Sequence, residues 1–271
     1  MTKAIPVFFI PFSSYYSLDS AWQCFFLSEP MEQYFLLSNA ILFIATLAVG
    51  LLTLVKKWDD EPLHLFVSFG AGIFLGVVFL HFIPDALTSG GSSPVAVMLL
   101  LGYLLIFFVE KFLLTRGDGS VVHGHKAVAM TVLLGLTVHS LIEGVGLAML
   151  NASGEFTGVL FFSVLSHNIP AAISLASLFL LARLDKKTVV TWLLVFSIST
   201  PGAAILSHYI FSGHNQEYVA YLSALTAGSL LYVATGELLP EVFHTSGKKW
   251  FKLGLLILGI AVIILLENFH F

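Results

Sequence analysis

The sequence predicts an all-α integral membrane protein of about eight transmembrane helices. The first observation is composition, because 58% of the 271 residues are hydrophobic and only 10% are charged, against roughly 25% charged residues in ordinary soluble domains. The second is that the apolar residues fall into eight long runs, and the third is that nearly all basic residues occupy alternate connections. A soluble fold of this size cannot hide so much apolar surface, so a lipid bilayer must solvate much of it.

Each predicted span is a run of about 20 mostly apolar residues, which is the length that crosses the hydrocarbon core as an α-helix. Residues 1–33 are interrupted by Pro6 and Pro11, and we expect them to form an interfacial or loosely ordered extracytoplasmic segment before a transmembrane domain over residues 34–271. The eight runs lie near Tyr34–Val55, Pro62–Phe82, Pro94–Leu114, Ala127–Leu150, Phe156–Ala182, Thr188–Phe211, Tyr218–Val242 and Trp250–Leu266.

The positions of the basic residues predict the orientation in the membrane. Of the 12 lysines and arginines, all but Lys3 lie in or beside the first, third, fifth and seventh connections. Because cytoplasmic loops are enriched in lysine and arginine, we expect the odd-numbered connections to face the cytoplasm and both termini to lie outside. The membrane that we expect is the cell membrane, either a plasma membrane or an inner membrane.

Spans two and seven resemble each other. The segment AGIFLGVVFLHFIPDA from Ala71 aligns with AGSLLYVATGELLPEV from Ala227, an offset of 156 residues, and in both a proline is followed by an acidic residue. The two spans cross the membrane in opposite directions, so the likeness predicts an inverted-topology repeat, which is typical of transporters. Chance similarity between two glycine-rich apolar helices is the alternative.

Ionisable side chains in the middle of spans four and five indicate a metal site, because each costs roughly 2.5–3.5 kcal/mol to place at mid-bilayer. His139 and Glu143 are four residues apart and share one helix face. His167 and Asn168 lie in span five at a matching depth from the opposite membrane face. Two imidazoles and a carboxylate are typical zinc ligands, and water, Asn168 or Ser140 could take a fourth position. A packing role is the alternative for any one histidine.

Further ionisable residues lie at both ends of the predicted repeat. His81 and Asp85 end span two on the outer side, and span seven carries Glu237, Glu241 and His244 at its inner end. Acidic groups at the mouths of a path would concentrate cations, although solvation or pairing with nearby lysines is the alternative. Two histidines of the third connection, His123 and His125, could bind metal weakly. The remaining four are interpreted as structural: His64, His208, His214 and His270.

Four of these segments together resemble motifs of the ZIP (Zrt- and Irt-like) transporter family. HSLIEGVGLA from His139 resembles the fourth-helix signature, and HNIPAAISLA from His167 resembles the fifth. HFIPDAL from His81 and ELLPE from Glu237 resemble the second- and seventh-helix motifs. The resemblance implies eight helices in a 3+2+3 inverted repeat and transport of a divalent metal into the cytoplasm, without enzymatic activity. Zn2+ is the expected ion, with Cd2+ or Fe2+ as lesser candidates.

The chain departs from this family pattern at two positions. Many members carry a glutamate four residues after the fifth-helix histidine, where this chain has Ala171. Some members also place an acid before the sixth-helix proline, where this chain has Thr200. These differences predict one metal ion at the centre of the membrane in place of the two-metal site with bridging carboxylates.

Two other functional classes stay open on the sequence alone. An intramembrane zinc hydrolase of the ceramidase-like kind would use Glu143 either as a ligand or as a general base, and a non-transporting metal-binding protein would explain the missing acids. The single cysteine, Cys24, excludes a disulfide framework and a thiolate-rich metal cage. No basic stretch interleaved with aromatic residues indicates nucleic acid. The sequence does not determine the oligomeric state and leaves a homodimer open.

Overall fold

The computed structural model describes residues 18–114, 121–152, 158–210, 216–244 and 247–268, and all the regular elements among them are helices. Eight of these helices are long and apolar enough to cross a membrane, which confirms the predicted fold class. They are α1 (Leu18–Leu52), α2 (Asp60–Val77, Val78–Phe82 and Ile83–Gly90), α3 (Ser92–Phe108 and Val109–Leu114), α4 (Val121–Ala152), α5 (Gly158–Leu181), α6 (Lys186–Ile210), α7 (Gln216–Tyr232, Val233–Leu238 and Leu239–His244) and α8 (Lys249–Asn268).

The largest difference from the predicted boundaries is at the start of the chain. Helix α1 begins at Leu18, ahead of the predicted start of span one at Tyr34, and its apolar crossing portion is Glu32–Leu52. Residues 1–17 lie outside the described part of the chain. The extracytoplasmic N-terminal segment therefore stays a prediction.

Helices α2 and α7 contain the same local irregularity. A π-helical turn occupies Val78–Phe82 just before Pro84, and another occupies Val233–Leu238 just before Pro240. Proline cannot donate a backbone hydrogen bond, and its ring clashes with the carbonyl group four residues earlier. A wider turn upstream of each proline accommodates that clash. The two prolines that align in the sequence thus have the same structural consequence.

Close helix contacts at glycine repeat with the same symmetry. Gly72 of α2 packs against the backbone of Leu256 in α8, and Gly228 of α7 packs against the backbone of Leu99 in α3. A Cβ atom at either glycine would overlap the carbonyl oxygen of the neighbouring helix. Small residues allow membrane helices to approach this closely. Gly72 and Gly228 are the glycines that align at the offset of 156 residues.

A second pair of contacts reverses the roles of the helices. Gly102 of α3 packs against the backbone of Leu225 in α7, and Gly259 of α8 packs against the backbone of Phe69 in α2. The two contacts are equivalent under the repeat, because Gly259 corresponds to Gly102 at an offset of 157 residues and Leu225 corresponds to Phe69 at an offset of 156. The predicted inverted repeat is therefore confirmed by tertiary contacts as well as by residue identity.

Helices α4 and α5 lie between the two three-helix repeats. Helix α4 packs against α6 and α7, α5 packs against α1 and α2, and the two central helices contact each other. This exchange of partners is what a two-fold relation between the repeats requires. It places the ionisable residues of α4 and α5 at the centre of the bundle.

Three of the basic connections lie at one end of the bundle, which we call the basic end. Arg183, after α5, pairs with Asp60 at the start of α2 through Nη2–Oδ1 and Nη2–Oδ2 contacts of 2.7 and 3.0 Å. Lys248, before α8, lies 3.1 Å from the carboxylate of Glu61. Asp185 caps α6, because the hydroxyl and backbone N–H of Thr188 donate to its carboxylate, and these bonds lower the pKa of Asp185.

Candidate metal centre

The side chains of His139, Glu143 and His167 converge between α4 and α5, and we call these three residues the central group. His167 Nε2 lies 2.7 Å from Glu143 Oε1, and His139 Nε2 lies 3.9 Å from the same oxygen. One potential ligand atom from each side chain lies within 4.8 Å of the other two. The spacing of four residues on α4 and the matching depth on α5 thus bring the predicted ligands together.

The central group is buried, and its hydrogen bonds are incomplete. His139 and His167 are 2% and 4% exposed, and their ring centroids are 5.5 Å apart. His139 Nδ1 is buried and has no hydrogen-bond partner among the described residues. A histidine with a purely structural role would normally have its ring nitrogens satisfied. The unsatisfied ring favours a ligand role for His139.

Two neutral side chains hold the carboxylate of Glu143 from its other side. Asn168 Nδ2 donates to Glu143 Oε2 at 3.0 Å, and Thr200 Oγ1 donates to the same oxygen at 3.3 Å. Oε2 is therefore turned toward these donors while Oε1 faces the imidazoles. Asn168 thus lies beside the central group, as predicted. Ser140 Oγ is buried and has no hydrogen-bond partner among the described residues, so no hydrogen bond connects it with Glu143.

Sequence reasoning missed the contact made by Thr200. Its position attracted notice only because some family members have an acid there. Thr200 reaches Glu143 because α6 packs closely on α4 at Gly144, where a Cβ atom would overlap the carbonyl oxygen of Thr200. The glycine next to Glu143 is the one sequence signal for this close approach.

A cavity of about 350 Å³ extends from the central group toward the end of the bundle opposite the basic end. Glu143 and His167 line its inner part, while His81, Asp85 and Thr88 of α2 line its mouth. His81 Nδ1 lies 3.6 Å from Asp85 Oδ2. The pair that was predicted at the outer end of span two therefore lines the same cavity as two residues of the central group.

The ring of Phe82 covers the two imidazoles of the central group. Its centroid lies 5.4 Å from that of His139 and 6.2 Å from that of His167. Phe82 also lines the cavity and is the last residue of the π-helical turn in α2. The irregular turn before Pro84 therefore positions an aromatic side chain at the central group.

Toward the basic end, the central group meets packed apolar side chains. Core residues on this side come from α2, α4, α5 and α7. Ala171 belongs to this apolar core and does not line the cavity. Representative core residues, each at most 3% exposed, are Phe74, Val78, Leu136, Ala171 and Val233.

The residues predicted at the inner mouth separate into two clusters. Glu237 is hydrogen-bonded to Glu110, which also accepts a hydrogen bond from the hydroxyl of Tyr232 and lies 2.7 Å from Lys111 Nζ. Glu241 instead lies in a group with two histidines, His64 and His244. The two glutamates are one helical turn apart, yet they contact different partners.

Two further histidines contact Glu241: His64, which was interpreted as structural, and His125, which was predicted to bind metal at most weakly. His64 Nδ1 and His125 Nδ1 lie 3.6 and 2.8 Å from Glu241 Oε1. The interpretation of His64 as merely structural overlooked this position. A signal was present, because His64, His125 and His244 all lie near helix ends on the side of the odd-numbered connections. The side chain of His123 and residues His214 and His270 lie outside the described part.

Comparison with known proteins agrees with this arrangement. The family model described as "ZIP Zinc transporter" matches residues 33–119 and 114–267. The chain is 25% identical to zinc transporter ZIP9-A of Xenopus laevis over 255 residues, covering 76% of this chain and 84% of that protein. It is 26% identical to zinc transporter YKE4 of Saccharomyces cerevisiae over 253 residues, covering 76% of this chain and 71% of that protein.

A third relative is zinc transporter ZIP1 of Danio rerio, which is 22% identical over 282 residues, covering 82% of this chain and 93% of that protein. The family and these relatives are transporters, so the intramembrane hydrolase alternative is wrong. The eight apolar helices make the chain a multi-pass integral membrane protein. The chain therefore belongs to the ZIP zinc transporter family, whose activity is the transport of divalent metal ions.

Proposed function

We propose that this protein carries zinc into the cytoplasm by binding it at the central group. The observation that supports this most directly is the convergence of two imidazoles and one carboxylate on a single point at the inner end of a cavity. These are typical zinc ligands, and a three-residue set leaves one coordination position for water or Asn168. Three protein ligands suit an ion that must leave again.

The proposed direction follows from the basic residues and the cavity. The basic end should face the cytoplasm, so the cavity would open to the outside, past His81 and Asp85, with both termini extracytoplasmic. In this conformation, the apolar core would close the path between the central group and the basic end. Release would require a second conformation that opens toward Glu237, Glu241 and His244. The membrane would be the plasma or inner membrane.

We expect the metal gradient, the membrane potential or coupled protons to supply the driving force. Each elementary charge that moves inward gains about 2.3 kcal/mol per 100 mV, so a Zn2+ ion gains about 4.6 kcal/mol at an inside-negative potential. With one carboxylate in the central group, and with Ala171 and Thr200 at the two positions where the family resemblance implies acids in many or some members, we expect one tightly bound ion there. Cd2+ and Fe2+ are lesser candidates.

The test is metal uptake by purified protein in liposomes that contain a fluorescent chelator. We expect saturable Zn2+ uptake that an inside-negative potential accelerates and that Glu143→Gln abolishes. Asp59→Asn is the matched control, since Asp59 is an exposed carboxylate before α2. Metal binding without flux would refute the proposal and indicate a non-transporting metal-binding protein.

A further inference from the structure

Three histidines and one glutamate from three helices converge at the basic end, and we call them the inner group. His64 lies in α2, His125 in α4, and Glu241 and His244 in α7. Potential ligand atoms of His64, Glu241 and His244 all lie within 4.8 Å of one another, and His125 Nδ1 lies 2.8 Å from Glu241 Oε1. The ring centroids of the three histidines are 5.5 to 6.1 Å apart. Such spacing suits three imidazoles around one ion.

The inner group has buried polar atoms that its protein neighbours leave unsatisfied. His64 and Glu241 are 3% and 7% exposed. His64 Nδ1 is buried and has no hydrogen-bond partner among the described residues, and His125 Nδ1 and Glu241 Oε1 face each other at 2.8 Å without the angular geometry of a full hydrogen bond. Burying such atoms unpaired is unfavourable. One cation among them would satisfy all three.

The ring of His244 is already oriented as a metal ligand. Its Nδ1 lies 2.9 Å from the backbone carbonyl oxygen of Glu241. A carbonyl oxygen only accepts, so Nδ1 is the donor, and Nε2 is the nitrogen whose lone pair the neutral ring offers to a metal ion. Metal-ligating histidines usually donate their second ring nitrogen to a carbonyl or a carboxylate in this way.

A buried lysine lies beside the inner group. Lys252 of α8 is 1% exposed, and its Nζ donates to the backbone carbonyl of Val242 at 2.8 Å, one residue after Glu241. Its charge acts on both Glu241 and His64. When no ion is bound, the ammonium balances the carboxylate, and it repels a divalent ion that arrives at the inner group. Such a neighbour weakens metal binding without removing a ligand.

We propose that the inner group is a second metal site, selective for ions that accept imidazole, and that Lys252 keeps its affinity low so that the ion is released. This site is distinct from the central group, since His125 and His139 are 14 residues apart on α4, about 21 Å at 1.5 Å per residue. The apolar core lies between the two. The inference rests on the proposed function, because it assigns the site to the exit of the same path.

The test uses equilibrium Zn2+ binding to purified full-length protein in detergent, with Glu143→Ala as the background that removes the central site. We expect one Zn2+ to remain bound in this background and His64→Ala to weaken it more than tenfold. His208→Ala is the matched control, because His208 contacts Asn151 and Phe35 away from the inner group. Unchanged binding in the His64→Ala protein would overturn the inner site.

Lys252 is tested in the same background with two variants. Lys252→Met should tighten Zn2+ binding by about tenfold or more, because it removes a unit positive charge that repels the divalent ion even at an effective dielectric constant of about 20. Lys252→Arg keeps the charge and should bind as the background protein does. Equal affinities for a monodisperse Met variant and the background would refute the role of Lys252. Wild-type protein that fails to transport would instead refute the proposed function, whatever the inner site binds.

Discussion

Replacing Thr200 by valine removes one hydroxyl beside the central group and changes the side-chain shape very little. Thr200 is 2% exposed, and its Oγ1 is one of two donors to Glu143 Oε2, at 3.3 Å, while Asn168 Nδ2 is the other, at 3.0 Å. Together they orient the carboxylate so that Oε1 faces the imidazoles. The variant should leave the fold intact and let this carboxylate turn more freely.

The size of the effect follows from the geometry. A hydrogen bond to a charged group contributes about 1.5–3 kcal/mol. The Thr200 contact is longer than the 2.5–3.0 Å that is usual for O–H···O bonds, and Asn168 still holds the same oxygen, so we expect a loss of about 1–1.5 kcal/mol. Since 1.4 kcal/mol is tenfold in affinity, Zn2+ should bind about five- to tenfold more weakly.

The measurement is the Kd for Zn2+ of purified protein, together with the KM for uptake in liposomes. Thr191→Val is the matched control, because Thr191 lies on the same helix and its hydroxyl is bonded to the carbonyl oxygen of Lys187 at 2.9 Å, facing away from the site. Thermal unfolding should be alike for both variants. A Kd for Thr200→Val within twofold of wild type would show that Asn168 alone orients Glu143, and the reasoning would fail.

Three further predictions test the site, the topology and the packing. Alanine at any member of the central group should abolish saturable zinc uptake while the protein still reaches the membrane; wild-type uptake by the His167 variant would contradict the two-helix site. In a Cys24→Ser background, cysteines at Asp185 and Gly247 should react with an impermeant reagent only from the cytoplasmic side, and labelling from outside intact cells would overturn the orientation. Gly228→Ala should lower the free energy of unfolding by about 1–3 kcal/mol or more, as overpacking does. Gly254→Ala is the control and should not lower it, because there is open space at its Cβ position. Equal thermal stability of the two variants would argue against the backbone contact between Gly228 and α3.

The span count, the shared end of the odd connections and the inverted repeat were all predictable from the sequence. Each depends on the order of residues along the chain: run length, placement of lysine and arginine, and matched prolines followed by acids. The central group was predictable for a related reason. Its members are expensive to place in lipid, so their presence together indicates a site, and the i, i+4 spacing of His139 and Glu143 puts them on one face.

The family departure at Ala171 shows a limit of this reasoning. The sequence has alanine four residues after His167, where many family members have a glutamate, and this difference predicts one metal ion in place of two. In the structure Ala171 lies in the apolar core rather than along the cavity. The position of a residue in the sequence predicts which face of its own helix it occupies. It does not predict which side chains of other helices pack against that face.

Contacts between distant helices were decided only by the tertiary structure. Thr200 meets Glu143 because α6 approaches α4 at Gly144, and Glu237 meets Glu110 while Glu241 meets His64. Hydropathy places each residue at a depth in the membrane, but the rotation of a helix about its axis and the closeness of its neighbour depend on packing. The sequence alone thus determined which polar groups lie inside the membrane, and packing decided which of them touch.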